Sequence, residues 1–459
     1  AMGTASKSFR IGKVRGYRRG SVWYLCYHEQ GKRHRPRVGQ ELGSARQMAA
    51  QINAQLETNI PAALSFQPLS ILELRQRWLE NHESVLRSSI QTIHRYRTAT
   101  EHLVNFLNLR PVRNSSLFHV THAEEFVAYL RTLKVSSNGH KNTALRPLMD
   151  KGIKFILECC RALFSYGAKR RHLSPYATNP FTELELSKIP VETQRPIKLF
   201  TPYQERDFLE SCNRWQFPIF LTLLMTGLRS GEVCHLLLPD DVDLHEGLLH
   251  VRNKPLLFWK VKTRYERSIP LHPVLVKVLT MHIQTRRYGP AFLRRAYSAD
   301  QIPTYARTLN SLENELSERI KCRLTEQNEV SRSAKRKIAN GLWQSIGTLD
   351  EDRIRRQLIR LTSQMGLTDD SSPKMLRHLF ATALQQGRVD PLVRNELMGH
   401  VVSGSRSPGH GLAMTAVYTH TNLETKRNQL FEALEMTPAV IVAQRWLEKA
   451  ENTASLTVP

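Results

Sequence analysis

The segment Leu224-Met225-Thr226-Gly227-Leu228-Arg229-Ser230-Gly231-Glu232-Val233 places an arginine where a helix should begin. Gly227 is suited to end one helix, and Arg229 then opens the next, where free backbone amides add positive potential toward an anion. The planar fork of arginine donates two hydrogen bonds to the non-bridging oxygens of a phosphate, so phosphate is the ligand such a position suits. The plainer alternative is an exposed arginine with no ligand. Among side chains that could attack such a phosphate is tyrosine, of which the chain has 13. A phenol attacks poorly at its ordinary pKa of about 10, so this role needs a base or strong positive charge beside it. The chain as a whole supplies such charge: 66 Lys and Arg against 41 Asp and Glu leave a formal +25. With 41% apolar residues, that balance describes a folded protein with a polyanionic partner, nucleic acid ahead of a membrane surface. The longest apolar run, Phe217 to Leu228, is interrupted by Pro218 and too short to span a bilayer.

Three further blocks follow in order: Leu376-Arg377-His378-Leu379-Phe380-Ala381-Thr382, then Leu397-Met398-Gly399-His400, then Val417-Tyr418-Thr419-His420. With the Arg229 block, they resemble the signature of the tyrosine recombinase (phage integrase) family, and the resemblance runs from Pro68 to the C-terminal tail. The basic N-terminal region is similar to the arm-binding domain of phage and conjugative-transposon integrases. The resemblance implies that Arg229, Arg377 and His400 clamp a scissile DNA phosphate and that Glu232 orients the site. Lys262, in Val261-Lys262-Thr263, matches a strand lysine that protonates the leaving 5′ oxygen. Tyr418 would attack to leave a 3′-phosphotyrosine and a free 5′-hydroxyl. The implied activity is site-specific recombination, the integration or excision of a mobile element, on double-stranded DNA held in a C-shaped clamp. The implied assembly is a homo-oligomer, a tetramer on paired sites, with an accessory DNA-bending or directionality protein as a further partner to look for. No cofactor or metal is expected: phosphoryl transfer asks mainly for positioning and charge stabilisation, and the covalent bond retains the phosphodiester energy. A telomere resolvase or a type IB topoisomerase-like strand transferase is the alternative with the same chemistry, and a non-catalytic DNA-binding relative the alternative without it.

Three features depart from the family pattern. Lys374 stands where a histidine is usual, three residues before Arg377; it either takes the proton of the nucleophile or only adds positive charge. Tyr418 follows His400 by 18 positions, about twice the expected interval, across the loop-like Ser403-Gly404-Ser405-Arg406-Ser407-Pro408-Gly409-His410-Gly411. That loop would give the nucleophile extra reach, and His410 would compete with His400 for the clamp. Residues 288–370 are longer than the family core needs and read as an inserted helical pair, Leu312 to Cys322 and Arg353 to Leu361, with a basic surface at Lys335, Arg336, Lys337, Arg353, Arg355 and Arg356. That surface is either a DNA or subunit contact or a solvated face. His378, His420 and Trp259 are read as structural.

The elements that must position these residues fall into a multidomain chain, as its length suggests. Residues 8–60 read as a small basic β arm domain: β-formers from Ser21 to His28 and from Lys32 to Val38 suggest a hairpin or three-stranded sheet, followed by a helix from Ser44 to Leu56. Residues 68–188 read as an all-α core-binding domain, with helices at Ile71–Glu80, Ser89–Leu107, His122–Leu133 and Asp150–Tyr166. Lys151, Lys154, Arg161, Lys169, Arg170 and Arg171 give it a basic face, and Ser174-Pro175, Asn179-Pro180 and Ile189-Pro190 punctuate a linker. Residues 198–436 read as a mixed α+β, mainly α, catalytic domain. Thr201-Pro202-Tyr203-Gln204 predicts a capped helix start, and Leu248–Val251 and Phe258–Ile269 predict strands. In the tail, 437–459, and just before it, Leu430, Phe431, Leu434, Val440, Ile441 and Trp446 look apolar enough to dock on a neighbouring subunit. The six cysteines, Cys26, Cys159, Cys160, Cys212, Cys234 and Cys322, form no CxxC spacing and read as reduced residues of a cytoplasmic protein.

Overall fold

In β3 (Val22–Glu29) buried and less buried residues alternate, so Trp23, Leu25 and Tyr27 share one face. The strand is the centre of an antiparallel sheet with β1 (Ser8–Ile11), β2 (Val14–Arg19), β4 (Lys32–His34) and β5 (Arg37–Gly39). Five strands thus stand where a hairpin or three were expected. Helix α1 (Leu42–Glu57) closes the inner face with Ala45, Ala49 and Ile52, one helical stripe. On the opposite face Tyr17 and Tyr24 stack at 5.8 Å. The computed structural model describes residues 8–29, 31–58, 62, 64, 66–110, 112–136, 139, 142–173, 178–192, 198–297, 308–326, 329–367, 372–400 and 422–455. The chain divides into two compact units, Ala1–Gln194 and Arg195–Pro459.

The rest of the first unit is helical: α2 (Ile71–Glu80), α3 (Ile90–Leu107), α4 (Val120–Thr132) and α5 (Asp150–Lys169), with a short hairpin of β6 (Lys134–Ser136) and β7 (Leu145–Pro147) that the sequence did not announce. Ser70 and Ser89 cap α2 and α3 by accepting the Glu73 and Thr92 amides. Cys159 and Cys160 lie in this core, where burial pushes the first thiol up to about 12 and the second well above its ordinary value. Arg171 stays exposed, tethered by its guanidinium, which donates to the Ala62 carbonyl at 2.7 Å, and by its own carbonyl, which accepts the Gln67 amide at 2.8 Å. One expectation changes here. Asn179-Pro180 is not a linker break but the capped start of α6 (Pro180–Glu183), which sets Phe181 fully into the core against Phe164 and Phe118.

The second unit is built round α8 (Gln216–Thr226), every residue of which is buried. Helix α7 (Pro202–Glu210) precedes it, with Thr201 and Gln204 exchanging the predicted reciprocal cap. Then come α9 (Ser230–Cys234), β8 (Leu237–Leu238), β9 (Val242–Asp243), β10 (Leu248–Val251), β11 (Arg267–Pro270), α10 (Pro273–Ile283) and β12 (Gly289–Pro290). Strand β10 matches its prediction. In place of the long strand expected over Phe258–Ile269, a loop follows the 3-10 turn at Pro255–Leu257 and leads into β11 alone. Phe258 at φ +56° and Arg264 at φ +59° turn the chain where a strand would run straight.

The inserted pair consists of α11 (Leu309–Glu326) and α12 (Arg332–Ser345), which share a core of Leu312, Leu316, Ala339, Leu342 and Trp343 with Leu237 and Leu257. Helix α13 (Glu351–Gln364), taken from the sequence as the second inserted helix, instead sends Ile354, Leu358 and Leu361 into the main core. Helices α14 (Lys374–Gln386), α15 (Pro391–Met398), α16 (Leu423–Glu435) and α17 (Pro438–Ser455) complete the unit. The apolar tail is not free for a partner: Leu430, Leu434 and Val440 are buried in the unit's own core, and Trp446 stacks on Phe217 at 4.9 Å. Among the described residues no helix is long and apolar enough to cross a membrane.

Candidate active site

Apolar α8 must stop before it can present a polar residue, and Gly227 stops it. It adopts φ +60°, and a β-carbon there would lie 2.2 Å from Cδ1 of Phe380 on α14. We therefore expect Gly227→Ala to cost roughly 2–4 kcal/mol, from left-handed strain plus overpacking; a denaturant midpoint equal to the parent's would refute this. Two residues on, Arg229 caps α9. Its amide donates to Glu232 Oε2 at 2.9 Å and its Nη1 to Oε1 at 2.8 Å, leaving the arginine partly exposed over a carboxylate that is 3% exposed.

The same carboxylate holds a second arginine. Arg267 on β11 pairs Nη2 with Glu232 Oε2 at 2.7 Å and donates Nε to the Leu397 carbonyl at 2.9 Å. Burial alone would raise the Glu232 carboxyl, but the hydrogen bond and charge of Arg267, helped by Arg229, hold it below its ordinary value. Gly399 ends α15 at φ +62°, and a β-carbon there would lie 2.7 Å from Arg267 Nη1, so the turn that presents His400 rests directly on this guanidinium.

Arg377, on α14, donates Nη1 to the Gly227 carbonyl at 2.5 Å and Nη2 to the Met398 carbonyl, and Nη2 lies 3.3 Å from His400 Nε2. Because arginine only donates, Nε2 accepts, which makes the His400 ring neutral with its proton on Nδ1. Burial, then the charges of Arg377, Arg229 and Arg267, lower its pKa in agreement. Burial and Arg229 likewise push Arg377 down to about 10. Three guanidiniums thus gather around one carboxylate, an excess of positive charge that an anion would relieve.

A phage integrase family domain covers residues 198–424, the span that holds this cluster. Residues 198–424 thus carry a phage integrase family domain. Among curated relatives, the tyrosine recombinase XerC of Thermodesulfovibrio yellowstonii is 24% identical over 43% of this chain and 48% of that protein. XerC of Halalkalibacterium halodurans is 26% identical over 46% of this chain and 51% of that protein. The chain thus spans about half the length of these two curated relatives. A lambda integrase dimer bound to a COC′ core site aligns at 13% identity and TM-score 0.47, over 86% of this chain and 94% of that one.

Within this phage integrase domain, the structure brings Arg229, Arg377 and His400 together and adds Arg267, which the motif reading passed over. The signal was present: Arg267 alternates with Ile269 in β11, and period two turns both inward. Lys262 is exposed on a turn rather than a strand, and lines a cavity of about 530 Å³ together with Arg229 and Glu232. Lys374 is exposed at the first position of α14, one turn before Arg377, with no hydrogen bond or ion pair among the described residues. His378 is exposed on the same helix rather than structural. Trp259 is structural as expected, stacked on His235 at 4.9 Å. Tyr418, His410, His420 and the loop 401–411 lie outside the described residues. No group of three or more metal-ligating side chains occurs among those described.

Proposed function

We propose that the chain is a site-specific DNA recombinase that cleaves and rejoins strands through a 3′-phosphotyrosine. The observation that carries this reading is the convergence of Arg229, Arg377 and His400 over the buried Glu232–Arg267 pair. Arg229 and Arg377 bind the non-bridging oxygens of the scissile phosphate, and His400 donates its Nδ1 proton to it. Tyr418 Oη bonds to phosphorus and yields its proton to solvent, the bond to the 5′ oxygen breaks, and that oxygen takes a proton from Lys262 Nζ. Attack by the 5′-hydroxyl of a partner strand reverses the step and completes the exchange. Double-stranded DNA is the substrate, and a tetramer on paired sites, with an accessory bending or directionality protein, is the assembly that strand exchange calls for. Residues 8–60, 68–188 and 198–436 act as arm, core-binding and catalytic domains. A nicked suicide substrate tests the reading, since it traps the adduct; tight binding without an adduct would make the chain a binding module.

Lys374 contributes charge rather than taking the tyrosine proton, as its exposed position one turn from Arg377 suggests. Replacing it by histidine should therefore leave the limb on which the cleavage rate rises with pH where it is in the parent, because a base acts only once it has lost its proton. Displacement of that limb toward the lower pKa of histidine would instead assign Lys374 the base role.

A further inference from the structure

The exposed Lys262 side chain owes its place to a series of contacts that ends in the inserted helices. Its turn hangs on Asn253, whose Oδ1 accepts the Val261 amide at 2.9 Å and whose Nδ2 donates to the Arg264 carbonyl at 3.3 Å. The next residue, Lys254, closes a loop with Trp259 through two backbone hydrogen bonds of 3.0 and 3.1 Å. Lys254 Nζ is fixed by a buried ion pair of 2.7 Å to Asp241 and lies 5.2 Å from the centroid of the Trp259 ring. Trp259 stacks on His235, and His235 meets the ring of Trp343 edge-on at 4.8 Å. Burial first, then the charges of Lys254 and Arg336, push His235 down to about 4, so this middle ring is neutral at ordinary pH.

Trp343, on α12, also donates its indole proton to the Leu257 carbonyl inside the same loop at 3.2 Å, and Leu257 lies in the core of the inserted pair. The Lys262 turn and the inserted helices are therefore one packed body rather than a catalytic core with an appendage. Lys262 and Arg229 line the same cavity as Arg336, Trp343 and Gln344.

We infer that the inserted helix α12 positions Lys262 for catalysis, with Trp343 as the positioning residue that holds the loop behind it. This rests on reading Lys262 as the acid that protonates the leaving 5′ oxygen. A displacement of about 1 Å from remote changes can cost 10²-fold in rate, so a loop that only supports the turn of Lys262 can still govern the proton transfer.

The test compares two substrates in single-turnover cleavage by the full chain: an ordinary suicide duplex, and one whose scissile 5′ oxygen is replaced by sulfur. A thiol ionises at about 8.5, so a thiolate leaves without a proton, whereas an alkoxide needs one. Trp343→Phe keeps a ring and removes the donor; Trp343→Leu also removes the edge contact. Both should bind the oxygen duplex as the parent does, cleave it about 10- to 100-fold more slowly, and cleave the sulfur duplex close to the parent's rate. Lys262→Ala should show the same rescue after a larger loss, and Arg229→Ala should show none. A Trp343 defect that persists with sulfur, or no defect with oxygen, overturns the inference and leaves the Lys262 role standing. Failure of sulfur to rescue Lys262→Ala overturns that role and the inference with it.

Discussion

A Tyr418→Phe variant is expected to bind its DNA as the parent does and to form no covalent adduct. The cleavage rate should fall on the order of 10⁴-fold or more, the scale on which loss of a nucleophile acts. The change removes one oxygen, and it leaves untouched Arg229, Arg377 and His400, the groups proposed to hold the phosphate. Affinity and chemistry should therefore separate. The measurement is denaturing electrophoresis of a trapped suicide complex beside a binding titration at fixed salt, since phosphate contacts make any affinity salt-dependent. An adduct that survives in Tyr418→Phe would name another nucleophile. Loss of binding together with cleavage would show that the hydroxyl serves the complex and not the reaction.

The second large effect concerns Arg267, which no motif singled out. Arg267→Met should destabilise the protein by about 3–5 kcal/mol, because it leaves the buried Glu232 carboxylate with only Arg229 to compensate it. The pH dependence identifies the cause. In the parent the Glu232 carboxyl is held below its ordinary 4.5, so its contribution is complete above that value and is lost as pH falls through the lower folded value. Without Arg267, burial prevails and the carboxyl rises, which reverses the sign: the group then favours the folded state at low pH and opposes it as pH rises. The stability gap between parent and variant should narrow steadily as pH is lowered from 7 toward 4. A gap that stays constant over that range would assign the loss to packing. Binding should suffer as well, since Gly399 and the turn of His400 rest on this guanidinium.

Much of the local structure was legible because it depends on local physics. The Thr201–Gln204 cap, the end of α8 at Gly227, strand β10 and the helices of the first unit follow from capping, backbone freedom and periodicity. The expected strand through Lys262 did not form, because positive φ at Phe258 and Arg264 breaks it. The apolar C-terminal residues looked like a docking surface for a neighbour because a periodic stripe does not say which surface it will cover. Here the surface belongs to the unit itself, with Phe217 waiting for Trp446. The same ambiguity led α13 to be assigned to the insertion.

The sequence by itself determined the residue types of the proposed site, Arg229, Lys262, Arg377, His400 and Tyr418, and the order in which the chain delivers them. Their chemistry is set by guanidinium forks, an ammonium, an imidazole and a phenol, which any reader of the chain can see. Only the tertiary structure decided that one buried carboxylate, Glu232, would hold Arg229 and Arg267 at once, that His400 would be neutral, and that the turn of Lys262 would be tied to an inserted helix. These are properties of groups far apart in sequence and close in space. Burial and neighbouring charge, which set protonation and position, exist only after the chain has folded.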